Sequence, residues 1–226
     1  MLQNQDKKNQ TTLKDMTDYS KDLEVARKAA QAGARVILNN FGKAKDFRVK
    51  GNSKGLVTET DLAAERAILD VLIAESDYEI LSEESGSSNI NSGPKWVVDP
   101  LDGTNNFARS LPLFAVSIGL MDGNESLVGV IIEPINNKEY YATKGGGAFC
   151  NNEKLTLPKF NTSYIPIIFL NHGYAETNRS KFKDLSKRLA SNYNILKLGT
   201  TALELCYIAT GSVDGFITAF FLLILW

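Results

Sequence analysis

Cysteine and histidine are scarce in this sequence of 226 residues, which contains two cysteines and one histidine. A chain of this length buries enough apolar surface to fold without a disulfide scaffold. Cys150 and Cys206 lie far apart and form no C-x-x-C pair, which favours buried free thiols in a reducing, cytoplasmic compartment. His172 alone does not supply a histidine-rich zinc centre, and we expect it to have a surface or capping role.

An excess of charge is also lacking, because 25 Lys and Arg residues face 26 Asp and Glu residues and the net charge is −1. The basic residues are mixed with acidic ones, so no nucleic-acid surface is predicted. The polar residues 1–12 lack the apolar core of a signal peptide. The apolar residues 220–226 are far fewer than the roughly 20 that a transmembrane helix needs. We therefore expect neither nucleic acid nor a membrane as partner.

The chain divides by composition into three parts. Residues 1–17 are predicted to be a disordered leader, residues 18–150 an α+β half, and residues 151–226 an α/β half that is incomplete at its C-terminus. Two interpretations fit the apolar end at 220–226. It is either a buried strand whose continuation is missing or an altered end produced by truncation or a frame change, and we favour the second.

Hydrophobic periodicity predicts an alternation of helices and strands. Apolar residues three or four apart indicate a long amphipathic helix over 18–41, with Gly33 on its apolar side. A mobile connection is expected at 43–54, and a second helix begins after it with Thr60 or Asp61 as N-cap. Gly145–Gly147 indicates a bend, because no helical pattern follows. Further strands are predicted at 78–81, 115–120, 127–132, 139–143 and 195–198, and further helices at 177–190 and 200–210.

The segment 96–107 carries the strongest chemical signal. An apolar run predicts a short buried strand that ends in Asp99, Pro100 and Asp102, where ligands gather in α/β sheets. Two carboxylates suit magnesium, which takes oxygen ligands, and amides of Gly103 and Thr104 at a helix start suit phosphate. Ordinary turn chemistry explains the same residues, so on this motif alone both interpretations stay open.

Carboxylates also stand at two other element boundaries. Asp61 is expected at a helix start, where a capping role explains it, and Glu83 and Glu84 follow a strand, where a solvated turn explains them. Convergent carboxylates repel one another unless a cation holds them. The joint pattern therefore favours a metal site over three unrelated turns.

Read together, these motifs closely resemble the inositol monophosphatase family of magnesium-dependent, lithium-sensitive phosphatases. The order and spacing match as well as the residue types, and the resemblance extends over residues 18–216. It implies a layered α/β (α+β) sandwich of alternating helices and sheets. It also implies that two copies of the chain form a homodimer. The matching segments are 58–61, 82–85, 99–107, 113–120, 145–149 and 199–203.

The resemblance also implies roles for individual residues. Metal ligation, with Mg²⁺ as cofactor, falls to Glu83, Asp99, the carbonyl of Leu101, and Asp102. Catalytic roles fall to Asp61, Thr104, Glu83 and Lys50, of which Thr104 and Asp61 orient the attacking water. Substrate binding falls to Asp102, Gly103, Thr104, Gly199, Thr200 and Thr201.

The expected function is hydrolysis of inositol monophosphate, or a similar small phosphorylated polyol, by metal-activated water without a phosphoenzyme. Fructose 1,6-bisphosphate and 3′-phosphoadenosine 5′-phosphate are alternative substrates, because the motifs specify phosphate and metal rather than the alcohol. Two departures from the family pattern allow a different class, a catalytically impaired metal- or phosphate-binding fragment. No aspartate follows Trp226, where the family has a further metal ligand, and Thr218 stands near the position of a sugar-contacting acid.

Overall fold

Helices and strands alternate along the chain in the computed structural model, which describes residues 18–43, 47–50, 55–84, 86–87, 93–157, 163–172 and 176–218. The predicted leader and the apolar end at 220–226 lie outside these residues. The described helices are α1 (Ser20–Asn40), α2 (Glu59–Glu75), α3 (Thr104–Phe107), α4 (Glu176–Leu189) and α5 (Thr201–Ala209). None of them is both long and apolar enough to cross a membrane.

The described strands form three sheets. A two-stranded sheet holds β1 (Phe47–Lys50) and β2 (Gly55–Thr58), and the others have the orders β10-β9-β8-β7-β6-β5-β3-β4 and β12-β11-β13. Their strands are β3 (Glu79–Ser82), β4 (Gly86–Ser87), β5 (Pro94–Asp102), β6 (Ala115–Asp122), β7 (Glu125–Glu133), β8 (Lys138–Thr143), β9 (Gly147–Cys150), β10 (Glu153–Lys154), β11 (Ile167–Asn171), β12 (Asn194–Leu196) and β13 (Gly215–Thr218).

The long amphipathic helix predicted near the start is confirmed as α1. Its apolar side is buried against α2 and the large sheet, with Ala26, Ala30 and Ile37 fully enclosed. A Cβ added at Gly33 would lie 2.7 Å from Cδ1 of Ile68 in α2, so the missing side chain permits the two helices to pack closely. Periodicity therefore predicted both the helix and the side that it buries.

Part of the connection predicted at 43–54 is instead strand. Phe47–Lys50 forms β1 and pairs antiparallel with β2, with Phe47 opposite Thr58 and Lys50 opposite Gly55. An aromatic and a β-branched residue, Phe47 and Val49, alternate there with two basic ones, which is a strand pattern too short to stand out among charged neighbours.

The strands predicted at 115–120, 127–132 and 139–143 are confirmed within the eight-stranded sheet, where β5 to β10 pair antiparallel in chain order. The glycine segment at 145–147 turns the chain between β8 and β9, as predicted for a bend, and no helix follows it. Among the described strands of this sheet, β3 and β5 form the one hydrogen-bonded pair that is parallel. Because the two strands run in the same direction, their C-terminal ends lie side by side at one edge of the sheet.

The second half of the described chain alternates strand and helix, as predicted. The strands β12, β11 and β13 are parallel, with α4 connecting β11 to β12 and α5 connecting β12 to β13. The mixed architecture confirms the α/β (α+β) fold class. The change from the large sheet to the small one falls between Lys154 and Ile167, and the predicted division at residue 150 remains a prediction.

Candidate active site

Carboxylates from two strand ends meet at one edge of the large sheet. The parallel register pairs Ser82 with Val98, and the N–H of Glu83 donates a 3.1 Å hydrogen bond to the carbonyl of Val98. Glu83 therefore lies beside Asp99 of β5, and their side chains share a hydrogen bond. The sequence separates these two acids by 16 positions, and the sheet brings them together.

A β-bulge places Asp99 and Asp102 on the same side of β5. Asp99 pairs with Ser117 and Asp102 with Ala115, so β5 uses one residue more than β6 over this interval. Two residues three apart on a regular strand point to opposite faces, and one extra residue reverses that alternation. Pro100 lies inside the bulge, where the ladder needs no N–H donor. Both aspartates thereby reach the Glu83 side of the sheet.

The surroundings of the two aspartates raise their pKa values. Desolvation, with the charges of Asp102 and Glu83, raises the pKa of Asp99 well above its usual range. Desolvation also raises the pKa of Asp102 to about 6, although hydrogen bonds from Ala202 and Thr200 act in the opposite direction. Like charges held together without a cation have this effect, and an added cation would reverse it.

Asp61 is held at the start of α2 by a capping box. The N-cap is Thr58, not Thr60 or Asp61 as predicted, because the Thr58 side chain accepts hydrogen bonds from the N–H groups of Thr60 and Asp61. In return, Oδ2 of Asp61 accepts from the N–H of Thr58 at 2.8 Å and from its hydroxyl at 2.5 Å. This arrangement leaves Oδ1 of Asp61 directed at Thr104, whose Oγ1 donates to it at 2.9 Å.

The turn after β5 presents backbone amides next to these carboxylates. Gly103 has φ 96°, and an added Cβ would lie 2.8 Å from the carbonyl oxygen of Leu113, so only glycine fits. The carbonyl of Gly103 accepts from the N–H groups of Asn106 and Phe107, which closes the single turn of α3. The buried ring of Phe107 packs edge to face on Phe114 and anchors this turn. N–H groups in a first helical turn have no partner within the helix.

The other side of Asp102 is held by the start of α5. Its Oδ2 accepts a 2.7 Å hydrogen bond from the hydroxyl of Thr200 and a 2.6 Å bond from the N–H of Ala202. Thr200 is the N-cap of α5 by position but makes no side-chain capping bond of its own in the described part of the chain. Asp102, about a hundred positions earlier, supplies the carboxylate that caps this helix.

Most of the predicted site residues therefore lie together. The structure joins Asp61 to Thr104, Glu83 to Asp99, and Asp102 to Thr200, while Gly199 and Thr201 flank Thr200. The backbone of Lys50 lies in β1, and its side chain is outside the described residues, so its catalytic role stays a prediction. The imidazole of His172 lies elsewhere, with Nε2 3.3 Å from Nζ of Lys197 and its ring against Phe182.

The donor set fits a hard divalent cation in its chemistry. Glu83, Asp99 and Asp102 provide carboxylate oxygens, and the nearby carbonyl of Leu101 provides another oxygen, the ligand type that Mg²⁺ takes. Across the described residues, no group of three or more His, Cys, Asp or Glu side chains is already arranged to hold a metal ion. One oxygen of Asp102 accepts from the N–H of Ala202 and one of Asp99 from the N–H of Leu101, and these hydrogen bonds orient both carboxylates while their other lone pairs are left for a cation.

Three residues of the site region escaped the sequence analysis. Thr58 forms a T-x-x-D capping box with Asp61, a signal visible in the sequence. Asn106 donates from Nδ2 to the carbonyls of Leu113 and Leu198, a contact that no local pattern announces. Glu204 is fully buried in α5, and a single charge within an otherwise apolar helix is a signal that it has partners.

Comparison with known proteins gives a consistent result. The model of the inositol monophosphatase family matches residues 18–220. A fructose-1,6-bisphosphatase/inositol-1-monophosphatase of Aquifex aeolicus is 35% identical over 214 residues, covering 88% of this chain and 77% of the relative. An inositol monophosphatase of Dictyostelium discoideum is 35% identical over 197 residues, with coverages of 82% and 71%.

The fold comparison agrees with these sequence matches. The crystal structure of extragenic suppressor protein suhB from Bartonella henselae superimposes with a TM-score of 0.79 at 30% identity, covering 88% of this chain and 78% of that one. The chain therefore belongs to the inositol monophosphatase family and is a phosphoric monoester hydrolase.

Proposed function

We propose that this protein hydrolyses the phosphate monoester of a small polyol, such as inositol monophosphate, with Mg²⁺ as cofactor. The observation that carries the proposal is the meeting of Glu83, Asp99 and Asp102 at one sheet edge, where desolvation, together with repulsion from neighbouring carboxylates, raises the pKa of both aspartates. The pair of Asp61 and Thr104 lies on the adjoining turn. Buried carboxylates without a cation are costly, and a metal-dependent reaction explains their grouping.

Mg²⁺ would be held by Glu83, Asp99, Asp102 and the carbonyl of Leu101. When bound, it neutralises phosphate charge and lowers the pKa of a coordinated water. The remaining chemistry falls to the chain itself. The amides of Gly103 and Thr104, at the N-cap and the first residue of α3, are proposed to bind a phosphate oxygen. Gly199 and Thr201, on the opposite side of Asp102, are proposed to contact the alcohol part of the substrate.

The pair of Thr104 and Asp61 provides a proton acceptor for the attacking water. The Thr104 hydroxyl donates its own proton towards Oδ1 of Asp61, which leaves lone pairs on Oγ1 to accept a hydrogen bond from water. A proton leaving that water passes to Thr104 Oγ1 as the Thr104 proton passes to Asp61. Asp61 is 1% exposed, so bulk solvent does not compete for this oxygen.

The decisive measurement is phosphate release from inositol 1-phosphate with and without Mg²⁺, on the natural chain and on Asp99→Asn. We expect the variant to lose most activity and the chelated natural chain to be inactive. Asp122→Asn is the matched control, because Asp122 is an exposed aspartate at the far end of β6 and its loss leaves the site intact. Equal rates for the natural chain and Asp99→Asn, or release that survives chelator, would refute the proposal.

A bisphosphate substrate is the second candidate. It is supported by the name of the Aquifex aeolicus relative, which gives that protein both activities, fructose-1,6-bisphosphatase and inositol-1-monophosphatase. A panel of inositol 1-phosphate, fructose 1,6-bisphosphate and 3′-phosphoadenosine 5′-phosphate at saturating Mg²⁺ ranks the three by kcat/KM. Trapping a phosphorylated aspartate in any of these reactions would contradict direct attack by water.

The proposed compartment is the cytoplasm, and the proposed assembly is a homodimer. Both cysteines are free, Cys206 buried and Cys150 half-buried, which accords with a reducing environment. Sedimentation of the full chain at several concentrations measures the assembly directly.

A further inference from the structure

Glu204 is a fully buried carboxylate in α5 that the proposed chemistry does not use. Its relative exposure is 0%, and its neighbours along the helix, Leu203 and Cys206, are apolar and buried. Desolvation raises the pKa of Glu204, and only specific hydrogen-bond donors reduce this cost. A carboxylate retained in such surroundings therefore indicates a defined set of donors.

Those donors belong to the loop that precedes α5. Oε1 of Glu204 accepts from the N–H of Leu198 at 2.7 Å and from the N–H of Gly199 at 3.4 Å. Oε2 accepts from Nδ2 of Asn171 at the end of β11. Glu204 thus fastens the loop 198–200 back onto its own helix and onto the small sheet.

Asn106 holds the same loop from the opposite side. Its Nδ2 donates at 2.8 Å to the carbonyl of Leu198 and at 2.8 Å to the carbonyl of Leu113. Asn106 lies in α3, two residues after Thr104, so this bond connects the loop to the turn that carries the proposed phosphate amides. The backbone of Leu198 is therefore held on both sides, at its N–H by Glu204 and at its carbonyl by Asn106.

The position of this loop determines where Asp102 is held. Thr200 is the last residue of the loop, and Ala202 lies in the first turn of α5. The hydroxyl of Thr200 and the N–H of Ala202 donate to Oδ2 of Asp102 at 2.7 Å and 2.6 Å. We propose that Glu204 is a positioning residue for the metal site, which acts on Asp102 through the loop 198–200. The inference rests on the proposed function, since it assigns Asp102 to Mg²⁺. Residues that do not bind the metal but orient one of its ligands through hydrogen bonds typically change metal affinity when they are replaced.

Glu133, the last residue of β7, provides a matched control that is hydrogen-bonded to the same helix. It is also 0% exposed, and its Oε1 accepts a 3.1 Å hydrogen bond from the hydroxyl of Tyr207 in α5. It fastens α5 to β7, and among the described residues it makes no hydrogen bond to the loop 198–200. Replacing either glutamate by leucine removes a buried carboxylate and a tether of α5. Only the Glu204 variant is expected to change the holding of Asp102.

The test is calorimetric titration of Mg²⁺ into the full, chelator-treated chain, without substrate. For Glu204→Leu we expect the dissociation constant to rise by about 10-fold or more. Glu204→Gln keeps an oxygen for the N–H of Leu198, and Asn171 has an Oδ1 without a partner among the described residues that suits the new amide, so a change below about 3-fold is expected. Glu133→Leu is expected to lower Tm and to keep natural Mg²⁺ affinity.

Kinetics supply a second readout. In Glu204→Leu the half-saturating Mg²⁺ concentration should rise by the same factor, whereas kcat at saturating Mg²⁺ should stay within about 3-fold, because Asp61 and Thr104 are untouched. If Glu204→Leu does not fold, Asn106→Ala tests the loop from its other side, and a rise of about 10-fold in the dissociation constant is expected.

Natural Mg²⁺ affinity in Glu204→Leu, or in Asn106→Ala where the first does not fold, would overturn the inference. An equal loss of affinity in Glu133→Leu would overturn it too, because general loosening of α5 would then explain the effect. Asp99→Asn separates this inference from the proposed function. If Asp99→Asn binds Mg²⁺ as the natural chain does, the metal site itself is wrong; if it loses binding while Glu204→Leu does not, only the role of Glu204 is wrong.

Discussion

The hydroxyl of Thr104 donates a 2.9 Å hydrogen bond to Oδ1 of Asp61, whose other carboxylate oxygen is occupied by Thr58. The capping box of α2 therefore does more than begin a helix. It fixes the rotation of the Asp61 carboxylate so that one oxygen is presented to the turn after β5. In the proposed mechanism, one side chain combines helix capping with proton acceptance.

Removing the Thr104 hydroxyl is predicted to lower kcat by about 10²- to 10⁴-fold, the usual contribution of a positioned proton acceptor. Thr104→Val keeps the side-chain shape and removes the hydroxyl, whereas Thr104→Ser keeps the hydroxyl and should retain activity within about 10-fold. Phosphate release at saturating Mg²⁺ measures both variants. A Thr104→Val variant with natural kcat would exclude the proton path through Thr104.

Mg²⁺ is predicted to stabilise the natural chain and not Asp99→Asn. A cation present at 100 times its dissociation constant adds about 2.7 kcal/mol to the free energy of unfolding when it binds only the folded state. Without the cation, Asp99→Asn should have a higher Tm than the natural chain, because the amide removes a carboxylate that its neighbours repel. Thermal unfolding with Mg²⁺ and with chelator measures both effects. Asp122→Asn should follow the natural chain in each condition, and a natural Mg²⁺ response in Asp99→Asn would contradict the prediction.

The chelated protein is predicted to lose stability as pH rises from about 4 to above 6. The pKa of Asp102 is about 6 in the folded state and 3.8 as its ordinary value, so the folded protein binds more protons than the unfolded chain over this interval. This stabilising contribution is complete below pH 3.8 and is lost through pH 6. Asp99, whose pKa is also raised, extends the loss to higher pH.

Thermal unfolding of the natural chain and of Asp102→Asn, followed across this pH range in chelator, isolates the effect. The Tm difference between the two should shift in favour of the variant as pH increases, because asparagine does not ionise. Saturating Mg²⁺ should cancel the trend, since ligation favours the ionised carboxylates. A Tm difference that stays constant with pH would show that Asp102 titrates normally.

Alanine at position 103 is predicted to destabilise the fold by about 2 to 4 kcal/mol, because positive φ and a blocked Cβ position act together. Gly123→Ala is the control for φ alone. Gly123 has φ 57° in the β6–β7 turn with open space around its Cβ position, so a loss of about 1 kcal/mol is expected there. Chemical denaturation measures both. Equal losses would mean that the contact with Leu113 is relieved without cost.

Local patterns in the sequence were sufficient for the elements that carry the site. The apolar run before Asp99 predicted β5, and the spacing of Ala26, Ala30 and Ile37 predicted α1, because each pattern follows from the burial of one face. The cap of α2 was misplaced by two or three residues, since Thr58, Thr60 and Asp61 all suit an N-cap and only the backbone turn selects among them.

Contacts between distant segments were not predictable from such patterns. The bulge that aligns Asp99 with Asp102 depends on pairing with β6, which no property of the motif itself specifies. Likewise, Asp102 and Thr200 are joined only when the two sheets assemble. The motif indicated which residues bind a ligand, whereas the tertiary fold determined which partners hold those residues in place.

The cap that Asp102 provides for α5 has a consequence for the order of events during synthesis. The donors of Thr200 and Ala202 are translated 98 and 100 positions after Asp102. Because loop closure over such a separation has to precede the contact, the nascent chain carries Asp102 without these two donors while the next 98 residues are made. Asp102 acquires its hydrogen bonds to α5 only after that helix has left the ribosome.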